Sequence, residues 1–171
     1  QVSAFSEILL AEKEISPDTP DSSVSANIFN ESHAGEDNWD VSLTTNLRYA
    51  DQNRPLSEPE KKGIILVDFL MRGTYQKDDL ALTGEVGDVQ VNETQNTVYY
   101  LARRGGRVAV EHSFFDVKGF LVKSEQVYGF EGGFGLGGDS KESIMGVSGG
   151  LKLFGNRLRL RSIYAAGGEQ G

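Results

Sequence analysis

Cysteine is absent from the 171 residues, which excludes disulfide frameworks, thiol nucleophiles, cysteine-type zinc sites and iron–sulfur clusters. Histidine is nearly absent, with His33 and His112 the only two. Basic residues are outnumbered, 17 Lys and Arg against 25 Asp and Glu for a formal charge of -8. A phosphate-binding surface is therefore confined to a local patch on a repelling background, and no nucleic-acid partner is expected. Long apolar runs are missing too. Ile64 to Val67 is broken by Asp68, far short of the ~18 to 20 residues of a membrane-spanning helix, a limit that does not apply to a barrel. No proline follows Pro59, whereas every glycine but Gly35 lies beyond residue 60. The first residues, with Glu7, Glu12 and Glu14 and no basic start, do not read as a secretory signal; one was either removed or never there.

What is present divides near residue 40. In the segment 1–40, Val2, Phe5, Ile8, Leu9 and Glu12 fall at helical spacing and predict a short amphipathic helix ending before Pro17. A polar linker follows over Thr19 to Ser25, and a first strand begins near Val24. Asn30 to Asp40, rich in acids, reads as an exposed loop.

From residue 41 to 171 the period is two. Val41, Leu43, Thr45, Leu47 and Tyr49 alternate with Ser42, Thr44, Asn46 and Arg48, the pattern of a strand with one apolar and one polar face. Asp51 to Lys62 reads as a polar loop, Gly63 to Tyr75 as a strand, and Lys77 to Asp79 as the turn into Leu80, Leu82, Gly84 and Val86. The apolar parity then moves to Val89 and Val91, so a β-bulge is expected at Gly87 and Asp88. A two-residue turn at Gly105-Gly106 would oppose Arg103 to Val108, Leu101 to Val110, Tyr99 to His112 and Thr97 to Phe114. A second at Gly155-Asn156 would oppose Leu153 to Leu158, Leu151 to Leu160, Gly149 to Ser162 and Val147 to Tyr164 on one face. Its other face sets Lys152 against Arg159 and Gly150 against Arg161, a like-charge crowd that demands acids from neighbouring strands. The fold class is all-β, an antiparallel meander of roughly eight to ten strands, most simply a β-barrel or barrel segment, with a soluble β-sandwich as the alternative.

Few motifs carry chemistry. Gly133, Gly135 and Gly138 formally match a dinucleotide-binding signature, but no helix-length stretch follows, so a close-packed glycine segment is expected and no cofactor. Asp37, Asn38 and Asp40 lack the glycine and distal glutamate of a calcium loop, and no metal is expected. His112 and Ser113, taken as adjacent strand residues, point to opposite faces and cannot pair as base and nucleophile. Asn30-Glu31-Ser32 and Asn92-Glu93-Thr94 match the glycosylation acceptor pattern. No catalytic constellation emerges, and no enzymatic activity is expected.

The run from Lys152 to Tyr164, with Leu153, Leu158 and Leu160 alternating with Arg157, Arg159 and Arg161, resembles the hairpins of Gram-negative outer-membrane β-barrels, and the likeness extends over 41–166. That resemblance implies a pore or surface scaffold in the outer membrane or at the cell surface, facing lipid, with Lys152, Arg157, Arg159 and Arg161 lining the lumen. Asp116, Glu131 and Glu142 are the candidate acidic partners. Such barrels commonly end in an aromatic residue where this chain reads Gly167 to Gly171, so an incomplete barrel or a fragment is expected. In the alternative, a secreted or periplasmic sandwich binds a glycan or protein through Tyr99, Tyr100 and Phe114.

Overall fold

The computed structural model describes residues 2–10, 22–52, 63–93, 98, 100–130, 132–137, 142–155 and 157–167. They are almost entirely strand. The elements are β1 (Val2–Leu10), β2 (Ser22–Glu36), β3 (Trp39–Gln52), β4 (Gly63–Lys77), β5 (Leu80–Val91), β6 (Leu101–Glu111), β7 (Phe115–Lys123), β8 (Ser143–Leu153) and β9 (Leu158–Gly167). They form one nine-stranded sheet in the order β1 to β9. The chain is an all-β antiparallel meander, and its sheet is not closed among the described residues.

The chain separates into two compact units. One holds Gln1–Ser32, Thr44–Phe69 and Tyr128–Glu131, the other His33–Leu43, Leu70–Val127 and Gly132–Gly171. The division expected at residue 40 falls inside β3. In the first unit β1 pairs with β2 from Val2↔Asn30 to Leu10↔Ser22. This replaces the expected helix: nine residues are too few to sustain an isolated helix in water, whereas a ladder to β2 satisfies the same backbone groups. Ala50 and Leu66 are buried in this unit, and the Asn46 amide donates to Asp68 Oδ2 at 3.3 Å.

In the second unit the strands are joined by short connections at Asp37-Asn38, Asp78-Asp79, His112–Phe114 and 154–157. The acidic stretch 30–40 is thus a hairpin rather than a loop: charge does not prevent pairing on an exposed ribbon, and Asp37 supplies the positive φ of 50° that the tight turn needs. Asp78 does the same with φ 49°, closing the hairpin Lys77↔Leu80. The β8–β9 pairing is the expected one throughout, from Leu153↔Leu158 to Val147↔Tyr164, with Lys152↔Arg159 and Gly150↔Arg161 on the opposite face.

Gly105 and Gly106 are not a turn. Both lie within β6, Gly105 between Gly87 and Val122, Gly106 between Val86 and Leu121. The glycines serve close approach instead: a Cβ on Gly105 would collide with the Leu121 carbonyl oxygen and lie 2.6 Å from Val122 Cα. The expected pairs Arg103 with Val108 and Leu101 with Val110 do not form, since all four residues lie along β6 itself, while Thr97 and Tyr99 lie outside the described residues. Nor is there a bulge at Gly87, since β5 pairs with β6 without interruption from Ala81↔Glu111 to Val91↔Leu101. The parity change is real but has another origin, because Leu82 and Val86 lie on one face and Val89 and Val91 on the other.

The buried cluster of the second unit is Val89, Val91, Phe120 and Val122, flanked by Leu70, Val98, Leu101 and Ile144. The Phe120 ring occupies the place a side chain at Gly146 would need. Gly84, by contrast, faces open space. We expect Gly105→Ala to lower unfolding free energy by about 2 kcal/mol or more through overpacking, and Gly84→Ala to change it by no more than about 0.5 kcal/mol; equilibrium urea unfolding of the two variants checks this.

Candidate functional site

Cross-strand partners share a face, so the registers sort the second unit into two surfaces. One carries Leu82, Val110, Val117 and Gly149 in a row, Gly84, Val108, Gly119, Val147 and Tyr164 in the next, and Gly106, Leu121, Met145 and Ala166 beyond them. Toward the turns it continues into Phe115, Leu151 and Leu160, then Leu153 and Leu158. Across Leu80–Val86, Gly106–Val110, Phe115–Leu121, Met145–Leu153 and Leu158–Ala166 this face has no charged side chain. It is nonetheless exposed: Val108 keeps 61% and Tyr164 67% of its accessible surface.

The other surface is the more covered one and carries both the buried cluster Val89, Val91, Phe120 and Val122 and most of the charges. Glu85 is opposite Arg107, and Arg107 opposite Phe120. Thr83, Ala109, Lys118, Ser148 and Ile163 form the adjacent row, and Glu111, Asp116, Gly150 and Arg161 the next. In β3, Val41, Leu43 and Tyr49 are exposed, while Thr45 and Leu47 are partly covered, as are Ser42, Thr44, Asn46 and Arg48.

Ion pairs organise the buried face. The Glu85 carboxylate receives Arg72 Nη2 at 2.6 Å and Nε at 2.8 Å on Oε1, and Arg107 Nη1 at 3.3 Å on Oε2. Arg161 Nη2 lies 3.5 Å from Asp116 Oδ2, an oxygen that accepts no hydrogen bond among the described residues. Lys118 lies 3.8 Å from Glu111, and Ser148 Oγ donates to Glu93 at 2.8 Å. On the apolar face the charged pair is Asp88 with Arg104, bonded at 3.1 and 3.0 Å near the ends of β5 and β6. Arg104 is buried there: Gly135, in a positive-φ conformation, packs on its backbone, and Gly132 on its guanidinium. Gly133 and Gly135 both take positive φ, the next described strand is β8 from Ser143, and Gly138 lies outside the described residues.

The expected site residues are partly brought together. Lys152 and Arg159 are directly opposed, with Lys152 Nζ donating to the His112 carbonyl at 3.0 Å. Arg161 has Asp116 as its partner. Arg157 sits in the turn before β9, its N–H donating to the Phe154 carbonyl at 3.4 Å. Glu142 faces Lys123 at 3.7 Å rather than the arginines, and Glu131 lies outside the described residues. The aromatic trio does not form a face: Tyr99 lies outside the described residues, and Tyr100 and Phe114 flank opposite ends of β6, whose eleven residues span ~35 Å at strand rise. His112 stacks on Phe115, centroids 5.3 Å apart, and approaches Phe114 at 5.5 Å. It also touches Ser113, Oγ to Nδ1 3.3 Å, because β6 ends at Glu111 and the two stand in a turn rather than on a strand. Asp37 and Asn38 form a tight turn, while Asp40 pairs with His33 at 3.0 Å.

Sequence reading missed the Glu85 cluster. Arg72, Glu85 and Arg107 lie on three strands, and the signal for them, a charge at period two among apolar neighbours, acquires meaning only with the register. At the turns, Trp39 and Tyr75 meet in a tilted contact with centroids 4.7 Å apart, and Phe114 and Phe154 are exposed at other turns. The chain matches no protein-family model, no curated protein and no solved structure.

We expect Asp88→Asn to destabilise by ~3 kcal/mol, since it removes a carboxylate paired with a buried guanidinium, and Glu142→Gln, at a pair whose acid is half exposed, by less than about 1 kcal/mol; chemical unfolding of both variants reads the difference.

Proposed function

We propose that this chain is a membrane-embedded β-barrel, or a sector of one, acting as a non-enzymatic pore or surface scaffold of an outer membrane, with lipid as its partner on the apolar face. The observation that carries the reading is the polarity of the second unit: its exposed face carries an uncharged apolar band beside the buried Asp88–Arg104 pair, and its covered face holds Glu85, Arg107 and Asp116 beside the buried Val89, Val91, Phe120 and Val122. In water such a face is costly at ~25 cal/mol per Å² of apolar surface left wet. Against hydrocarbon it costs nothing, and a lysine or arginine there would cost up to ~2 to 4 kcal/mol at the midplane.

The dimensions support the same reading. From Leu158 to Ala166 the uncharged stretch runs for ~26 Å along the strand, or ~20 Å after a tilt of ~40°, comparable to the ~25 Å apolar band of membrane barrels. Short connections at 37–38, 78–79, 112–114 and 154–157 contrast with longer ones at 53–62, 92–100 and 124–142, the asymmetry of barrels with short turns on one side and long loops on the other. Trp39 with Tyr75, and Phe114 and Phe154, place aromatic rings at the short turns, where an interfacial girdle belongs. The interior this implies is lined by Arg161, Lys152 and Arg159 with Asp116.

Spin labels placed singly from Leu158 to Tyr164 in lipid vesicles should alternate: oxygen-accessible at 158, 160, 162 and 164, and accessible to a water-soluble paramagnet at 159, 161 and 163. A uniform aqueous profile in the presence of lipid refutes the reading.

A further inference from the structure

We infer that Arg72 and Arg107, held by Glu85, form an anion-attracting station on the covered face, suited to solutes bearing a carboxylate or phosphate. The inference rests on reading that face as the wall of an aqueous passage. Arg72 comes from β4, Glu85 from β5 and Arg107 from β6, and the register sets Arg72↔Glu85 and Glu85↔Arg107 in one transverse row. Both carboxylate oxygens are engaged, Oε1 by Arg72 and Oε2 by Arg107. The acid is the buried member, with 5% of its side chain exposed, whereas Arg107 keeps 27% and Arg72 50%. The negative charge is therefore sunk in the wall and both guanidiniums reach toward solvent, leaving a net single positive charge on two fixed cations.

A guanidinium has five donors in a planar fork. Arg72 spends Nε and Nη2 on Glu85, and Arg107 spends Nη1 on Glu85 and, at 3.5 Å, on the Gln90 carbonyl. The remaining donors match an oxyanion, and because Glu85 already immobilises the forks, little side-chain freedom is lost on contact. The neighbouring row offers Thr74 and Thr83, paired across β4 and β5, whose hydroxyls add neutral donors. This local sign is opposite to that of the chain, whose formal charge is -8, so the station cannot be read from composition.

The absence of cysteine makes the test direct. Thr83→Cys puts a reporter thiol on the same face, two residues from Glu85, and its modification by an anionic sulfonatoethyl and a cationic trimethylammonioethyl methanethiosulfonate is timed on the full chain in lipid vesicles. Each rate is divided by that of a simple thiol. The anionic reagent should be favoured by about threefold or more at low salt, the bias shrinking toward unity as ionic strength rises past the point where the Debye length falls to ~3 Å. Inorganic phosphate should slow the anionic reagent more than chloride of equal ionic strength. Adding Arg72→Gln should remove the bias, and because the salt and phosphate series need only the Thr83→Cys protein, a misfolded double variant does not protect the inference. Equal normalised rates, a cationic preference, or a thiol inert to both reagents overturns it. Val108→Cys, on the apolar face, separates the two claims: if it reacts in vesicles as fast as a free thiol, the lipid-facing reading falls, whatever the bias at Thr83.

Discussion

Uninterrupted antiparallel register is the constraint on which the rest of the structure depends. From β5 through β9 each ladder proceeds without a skipped residue, Ala81↔Glu111 to Val91↔Leu101, Phe115↔Leu151 to Lys123↔Ser143, and Ile144↔Gly167 to Leu153↔Leu158. With a side-chain period of two, a slip of one residue on any strand would send its whole apolar set to the other face. The continuous registers are what gather Val108, Val147 and Tyr164 in one row and Glu85 and Arg107 in another.

Glycine makes such long, tightly paired strands possible and also shapes their faces. Gly105 accepts the β7 backbone at a distance no side chain would allow, Gly146 accepts the Phe120 ring, and Gly135 accepts the backbone of Arg104. Gly73 and Gly84, opposite each other, meet nothing, and so lower the relief of the apolar face. The same residue type thus serves close packing at Gly105, Gly146 and Gly135 and bare backbone at Gly73 and Gly84. Only neighbours distinguish the two uses.

The charges follow a matching logic. An acid set into the covered face is tolerable where arginines neutralise it, as at Glu85 and Asp116, because an uncompensated buried carboxylate is far costlier than a paired one. The longer arginine side chains reach out of that face while the short carboxylates remain in it. The like-charge confrontation of Lys152 and Arg159 is eased on the lysine side by the His112 carbonyl.

Much of this was legible from residues alone. Strict alternation over Val41 to Tyr49 and Leu151 to Tyr164 specified strands, and Gly155 specified the β8–β9 turn and with it every pair of that hairpin, because a two-residue loop leaves one register open. Where two local signals conflicted, the sequence was ambiguous: Val2 to Leu9 carries a helical spacing that pairing with β2 overrides, and Gly105-Gly106 looks like a turn until β5 and β7 flank it. The bulge inferred at Gly87 came from assuming that apolar residues must all face one way, which the sheet does not require. By itself, then, the sequence determined the all-β class, the two-residue period and the last hairpin, since each is a matter of neighbours along the chain. Only the tertiary structure decided that the apolar face is the exposed one and that Arg72, Glu85 and Arg107 meet, because which side of an alternating strand is covered, and which charges share a row, depend on partners contributed by other strands.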